Sequence, residues 1–180
     1  MIQSIKKSIV VVLLVAAFTS CNQGPTLQTY YVDNELKSGY TQIDAPTSLI
    51  NVENVEMTEE QREAYKSVNK LNILLYTPTD SADVKLVTEI DKVSAILKNP
   101  KYEELVRGNT GDGKFTVKYI GEVDNVDEVI VFGSSKEKGF VIARLLGDDM
   151  NAGKIYSLRT VIENAKFDDT NLNGLTDFFK

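Results

Sequence analysis

The chain has 180 residues, 42% of them hydrophobic and 26% charged, a composition typical of a folded protein rather than a disordered one. It has no histidine and one cysteine, which excludes serine–histidine and cysteine–histidine nucleophile pairs, internal disulfides and zinc clusters. Acidic residues outnumber basic residues by 26 to 20 and no basic cluster is present, so nucleic-acid binding is not expected.

The amino-terminal residues have the order of a bacterial lipoprotein signal. Two lysines precede residues 9–18, an unbroken apolar run of ten residues. This is the length of a signal-peptide core, whereas a spanning helix needs about 20 residues. Cys21 follows Ser20 as in a lipobox, although Phe18 stands where leucine is usual. We therefore expect residues 1–20 to be a lipoprotein signal peptide and Cys21 to carry lipid. The alternative is an ordinary buried cysteine after an uncleaved anchor.

The rest of the chain divides into three parts. Residues 21–28 are the lipidated cysteine and a polar tether, residues 29–167 a single domain, and residues 168–180 a polar tail. Lipid on Cys21 makes a membrane the first expected partner, and an envelope protein is the second. No acidic run follows Cys21. By resemblance to other lipoproteins, this absence implies the periplasmic side rather than surface export, so we expect an outer-membrane anchor facing the periplasm.

Residues 114–147 organise the domain. Phe115, Val117 and Tyr119 alternate with polar residues, as in a half-buried strand. Residues 129–132 form a continuous β-branched and aromatic run, and residues 140–146 form a third apolar run. The two connectors are short enough for hairpins, so the pattern predicts an antiparallel meander.

The third predicted strand raises the question of which face is buried. Arg144 lies on one face, so the opposite face is assigned to the core. That core face carries Val141, Ala143 and Leu145. The other face carries Phe140, Ile142 and Leu146. If it is open, these three residues form a partner-binding surface. If the amino-terminal segment folds over it, they belong to the core, and both interpretations remain open.

Helix signals flank the meander. Thr58 and Gln61 have capping-box spacing and predict a helix to about Asn69, before a buried strand over residues 71–76. A longer helix, capped by Asp80 or Ser81, runs to Lys98. Its apolar stripe is Leu86, Ile90, Val93 and Leu97.

Further elements are predicted on both sides of these. Asn99-Pro100 predicts the start of a short helix over residues 101–107, closed by Gly108. Asp148 and Asp149 would cap a last helix, and residues 30–32 and 48–52 could form strands.

The segments 101–105 and 139–148, with the helix after them, resemble the family of Bacteroidota lipoproteins and secreted proteins known as domain of unknown function 4252. The resemblance covers about residues 69–165. It implies a small α+β domain in the cell envelope and brings no established activity. We expect a two-layer α+β domain, an antiparallel meander with residues 71–76 added to the sheet and helices packed on one face.

Three acidic groups could be mistaken for catalytic pairs. They are Glu103 with Glu104, the set Glu122, Asp124, Asp127 and Glu128, and Asp148 with Asp149. Their positions on a helix, at a turn and at a helix cap favour solvated roles. The eight tyrosines could line a sugar or peptide groove, and they are concentrated near the amino end at Tyr30, Tyr31, Tyr40 and Tyr65. Core and interface packing is their expected use. No catalytic residue is predicted.

The tail contains a partial calcium-loop pattern. Asp169, Asn171, Asn173 and Asp177 occupy ligand positions 1, 3, 5 and 9, and a glycine stands at position 6. However, position 12 is Lys180, a cation, and two carboxylates are replaced by amides. We therefore expect no metal site, with a weak calcium-stabilised module as the alternative.

The leading hypothesis is a non-enzymatic envelope lipoprotein that binds a partner protein or senses the state of the envelope, without a cofactor. The rival is an enzyme that uses only serine, threonine, lysine, tyrosine or carboxylate groups. A deep pocket that brings two such groups together with shifted pKa values would favour the rival.

Overall fold

The computed structural model describes residues 24–52, 54–78, 84–111, 113–164 and 166–167. The helices are α1 (Leu27–Asn34), α2 (Glu59–Ser67), α3 (Val84–Leu97), α4 (Ala152–Ser157) and α5 (Arg159–Asn164). The strands are β1 (Tyr40–Pro46), β2 (Ile50–Asn51), β3 (Val68–Tyr76), β4 (Glu103–Thr110), β5 (Gly113–Glu122), β6 (Asn125–Ser135), β7 (Gly139–Met150) and β8 (Lys166–Phe167). A 3-10 turn, Thr47–Leu49, precedes β2.

Six strands form one antiparallel sheet in the order β1-β3-β7-β6-β5-β4, and β2 pairs with β8 in a small second sheet. Val117 on β5 lies opposite Val131 on β6, which lies opposite Ala143 on β7. The predicted meander is therefore confirmed, as is the α+β class. β3 pairs with β7, which confirms that residues 71–76 are added to the sheet.

Helices cover both faces of this sheet, so the expected two-layer arrangement is wrong. Phe140 and Ile142 of β7 share one core cluster with Tyr30 of α1 and with Val93 of α3. On the opposite face, Leu145 packs in a cluster that includes Ala64 of α2 and Ile155 of α4. Side chains alternate along a strand, so two apolar faces of β7 demand two covering layers.

The face of β7 that carries Arg144 is buried, which corrects the proposed partner surface. Phe140 and Ile142 are fully buried, with exposed fractions of 0% each. Leu146, at the same face, is partly buried. The amino-terminal segment does fold over this face, since the hydroxyl of Tyr31 in α1 donates to the carbonyl of Ile142 at 2.8 Å.

Residues 103–110 form strand β4, so the short helix predicted over residues 101–107 is wrong. Asn99 instead holds a turn, where its Oδ1 accepts from the backbone N–H of Lys101 at 3.1 Å. The following residues pair with β5, where Gly108 lies opposite Phe115 and leaves room for that ring. Pairing with a neighbouring strand outweighs the local helical preference of this charged segment.

Other differences lie near the ends of the domain. Residues 30–32 belong to α1, whose capping box joins Thr26 and Thr29, so the tether ends before Leu27. β1 was not predicted, and only residues 50–51 of the second predicted strand are extended. β7 continues through both aspartates expected to cap the last helix, and Asn151 provides that cap.

Candidate functional site

A groove with a volume of about 640 Å³ lies where the connector after β2 meets α2. It is lined by Val52, Val55, Glu56, Met57, Arg62, Tyr65 and Lys66. The four uncharged side chains are partly buried and pack against the core on this side of the sheet. The three charged residues are exposed. The groove therefore combines an apolar floor with a charged rim.

A capping box fixes the start of α2 and with it one wall of the groove. The Thr58 hydroxyl accepts from the Gln61 N–H at 3.2 Å, and Gln61 Oε1 accepts from the Thr58 N–H at 3.0 Å. Arg62, Tyr65 and Lys66 follow at a spacing of three and four residues, which places them on the same side of the helix. The sequence predicted this cap, and the structure confirms it.

Tyr65 connects this wall to the 3-10 turn and to β2, which lead into the connector. Its hydroxyl lies 3.0 Å from the carbonyl oxygen of Thr47 and 3.1 Å from that of Ile50, and can donate to either. Burial raises the pKa of Tyr65, so the hydroxyl keeps its proton near neutral pH. The hydrogen bond ties α2 to the segment that leads into the groove.

The charges of the groove favour an anionic ligand group. The residues that line the groove include two cations, Arg62 and Lys66, and one carboxylate, Glu56. Arg62 Nε lies 3.8 Å from Glu59 Oε2, and the two side chains are 49% and 80% exposed. An ion pair so exposed contributes at most about 1 kcal/mol, so it holds Arg62 only weakly.

A buried polar cluster on the other face of the sheet is the strongest alternative site. The Tyr30 hydroxyl donates to Glu89 Oε2 at 2.7 Å and lies 3.1 Å from the Tyr40 hydroxyl. Lys92 Nζ donates to Glu89 Oε1 at 2.7 Å. Each hydroxyl can donate or accept, so either tyrosine can be the donor in the contact between them.

The electrostatics of this cluster argue for a structural role. Burial raises the pKa of Tyr30 and of Tyr40, so neither serves as a base at neutral pH. Burial alone would also raise the pKa of Glu89. Hydrogen bonds from Lys92 and the tyrosines outweigh it and hold this pKa below its usual value. The cluster joins α1, β1 and α3 through one ionised carboxylate.

The acidic residues singled out in the sequence do not meet in a catalytic pair within the described residues. Glu128, expected in a solvated turn, is buried with an exposed fraction of 7%, which corrects that expectation. Its carboxylate accepts from Arg144. Glu103 accepts from the Tyr119 hydroxyl at 2.8 Å, and Asp148 accepts from Asn69 at 2.8 Å.

Cys21 and the calcium-loop residues Asp169, Asn171, Asn173 and Asp177 lie outside the described residues. Among those that are described, no three acidic side chains come close enough together to hold a metal ion. None of the described helices is long and apolar enough to cross a membrane.

The sequence did not predict two features, the groove and the buried Glu89. The groove floor lies in an irregular connector, which has no periodicity to signal burial. Glu89 did leave a signal, because it stands three residues after Leu86 and four before Val93, on the buried side of α3. An acidic residue within an apolar stripe implies a buried partner.

The chain belongs to the family described as domain of unknown function DUF4252, whose model matches residues 31–158. This agrees with the resemblance carried by the sequence. No curated protein and no solved structure shows significant similarity to the chain.

Proposed function

We propose that this member of the DUF4252 family is a lipid-anchored protein of the bacterial cell envelope, whose domain binds a partner protein without catalysing a reaction. The lysines and apolar run that lead to Cys21 support the anchor. The groove beside α2 supports the binding role, and it is the observation on which the proposal depends.

The start of α1 defines how closely the anchor would hold the domain. Thr26 caps this helix only five residues after Cys21. At about 3.4 Å per residue, five extended residues reach roughly 17 Å. The headgroup layer on one side of a bilayer is roughly 5–8 Å thick. The domain would thus remain next to the membrane, and we place it on the periplasmic side of the outer membrane.

The chemistry of the groove defines the partner. Val55, Met57 and Tyr65 offer apolar contact area, while Arg62 and Lys66 offer two cations. Without its leader the chain carries 18 basic and 26 acidic residues, a net charge of −8, so a locally cationic groove is distinctive. We infer an extended segment of an envelope protein, with apolar side chains next to a carboxylate.

A catalytic role finds less support. The sequence has no histidine. The buried tyrosines keep their protons, and the ionised Glu89 carboxylate beside them already accepts from tyrosine and lysine donors. Groups held in this way stabilise the fold but have no access to a substrate.

The anchor is tested by intact-mass spectrometry of protein extracted from its own membrane. We expect a mature chain that begins at Cys21 and carries the added mass of the lipid. Cys21→Ala should release the protein from the membrane fraction. An unmodified cysteine in the extracted protein would disprove the anchor.

The groove is tested by photo-cross-linking in intact envelopes. A photoreactive residue at Met57 should give one discrete adduct, which Arg62→Glu with Lys66→Glu should abolish. Lys98→Glu with Lys114→Glu is the matched charge control and should leave the adduct intact. The partner peptide identified by mass spectrometry should contain apolar residues beside an acid. An equal adduct from Val123, an exposed turn residue, would contradict the proposal.

A further inference from the structure

No described helix contributes an apolar side chain to one buried part of the sheet. This part is an apolar patch formed by Ile43, Ala45, Ile73, Val141 and Ala143, on strands β1, β3 and β7. Their exposed fractions are 9%, 2%, 1%, 0% and 8%. The residues packed around the patch, Leu71, Leu75 and Val131, also come from strands. Elsewhere on this face, α2, α4 and α5 supply the covering side chains.

Such burial requires a covering layer. Neighbouring strands shield a side chain only from the sides, so an apolar residue on an uncovered sheet face remains partly exposed above. Val141 and Ile73 are almost completely buried. No described helix contributes an apolar side chain to this cluster, so the ends of the chain are the candidates for its cover.

The amino-terminal end leads away from the patch. α1 follows the tether, and Leu27 at its start belongs to the core cluster on the opposite face of the sheet. Leu27 is 1% exposed and its backbone N–H donates to the Tyr102 hydroxyl at 3.3 Å. The chain before α1 therefore enters on the face of the sheet opposite to the patch.

The carboxyl-terminal end leads towards the patch. Lys166 pairs with Asn51 and Phe167 with Ile50 in an antiparallel ladder. The backbone of β8 is thus directed, at Phe167, towards the 3-10 turn and Pro46, where β1 ends. β1 is the edge strand that carries two residues of the patch.

We propose that residues 168–180 pack on this patch and complete the core on that face. The segment contains four large apolar residues, Leu172, Leu175, Phe178 and Phe179. Thirteen residues span up to roughly 43 Å when extended, whereas three strands are only roughly 10 Å wide. The segment is therefore long enough to cross the patch, and its apolar side chains match the chemistry of the surface.

Disulfide trapping in the full-length chain tests this placement. Cys21→Ser removes the only native thiol. Val131→Cys then provides a probe beside the patch, and Thr116→Cys provides a matched probe on the opposite face, since Thr116 lies opposite Phe132. Each probe is combined in turn with Leu172→Cys, Leu175→Cys, Phe178→Cys or Phe179→Cys. The same pairs are repeated in a chain that begins at residue 22.

At least one tail position should form an intramolecular disulfide with the cysteine at 131 about ten times faster than with the one at 116, because the bond requires Cα atoms within roughly 7 Å. The result should be the same in both chains. Equal rates with the two probes would overturn the proposal. Disulfides only between molecules would assign the patch to a second copy, and protection of the cysteine at 131 only in the full-length chain would assign it to the leader.

Discussion

Arg144 and Glu128 form a two-point ion pair between strands β7 and β6. Arg144 Nε donates to Glu128 Oε1 at 2.6 Å and Nη2 donates to Oε2 at 2.9 Å. The two side chains are only 11% and 10% exposed. The same guanidinium lies 5.3 Å from the centre of the Tyr31 ring and donates to Gln28 Oε1 at 2.8 Å. This single side chain therefore connects the sheet to α1, the helix that follows the proposed lipid anchor.

Loss of one member of this pair should destabilise the domain strongly. Arg144→Ala leaves the Glu128 carboxylate buried without its cation, and we expect the free energy of unfolding to fall by about 3–5 kcal/mol. The double variant Arg144→Met with Glu128→Leu removes both charges and should recover most of that loss. Urea unfolding, followed by circular dichroism, measures the free energy of unfolding of both variants.

The matched control is Arg107→Ala. Arg107 also forms an ion pair, with Glu104, but its side chain is 70% exposed, so the change should stay within about 0.5 kcal/mol. If Arg144→Ala costs no more than Arg107→Ala, the pair does not hold the two strands and α1 together.

The face of β7 that carries Arg144 shows what a single sequence can and cannot predict. The alternation along residues 140–146 correctly separated the two faces of β7, because that pattern is local. The presence of Arg144 did not decide whether its face is covered, because its partner Glu128 lies on another strand. Glu128 is opposite Leu146 and Arg144 is opposite Ile130, so the contact depends on a strand register that spacing alone does not reveal.

The same reasoning accounts for the other successes and failures. The apolar stripe of α3 and the capping box of α2 are patterns within a few residues, and both were predicted correctly. β4 depends on pairing with β5, and the groove depends on Tyr65 meeting the carbonyls near β2. Contacts between segments that are distant in the sequence therefore determine β4 and the groove.

Two glycine substitutions should have opposite effects. At Gly147 an added Cβ would overlap the Ser67 carbonyl oxygen, where β7 passes the end of α2. Gly147→Ala should therefore cost about 1–3 kcal/mol. At Gly153, in α4, the nearest atom would be Asn151 Oδ1 at 3.4 Å, an ordinary contact, and alanine favours helix. Gly153→Ala should raise the free energy of unfolding by about 0.5 kcal/mol. Thermal unfolding of the two variants and the parent measures both effects. If both substitutions shift the midpoint in the same direction, the expectation of opposite effects is wrong.

The tail should not bind calcium at physiological concentrations. Asp169 and Asp177 are the only carboxylates at the ligand positions of the loop pattern, and Lys180 places a cation where a bidentate acid is required. Calorimetric titration of the mature chain with calcium should show no saturable heat. A dissociation constant below about 1 mM that disappears in Asp169→Ala would contradict this expectation, since extracellular calcium modules work at roughly 0.1–1 mM.

Glu89 should make the stability of the domain depend on pH in the acidic range. Its pKa is lower in the folded protein than in the unfolded chain. The ionised form therefore stabilises the fold above the unfolded pKa, about 4.3 for glutamate, and this contribution is lost as the pH falls through the folded pKa. The Glu89→Gln variant has no carboxylate at this position, so its stability does not include this pH-dependent contribution. We expect the variant to be less stable than the parent by about 1–2 kcal/mol at pH 7, because charge-assisted hydrogen bonds from Tyr30 and Lys92 are weakened.

The difference between the parent and Glu89→Gln should therefore shrink as the pH falls below about 4.3, because the protonated parent then resembles the variant. Urea midpoints measured between pH 7 and pH 3 follow this convergence. Glu137→Gln is the control, since it removes one carboxylate from an exposed turn and leaves the buried cluster intact. Its curve should run parallel to that of the parent. A constant gap between the parent and Glu89→Gln over the whole range would mean that Glu89 is not held ionised by Tyr30 and Lys92.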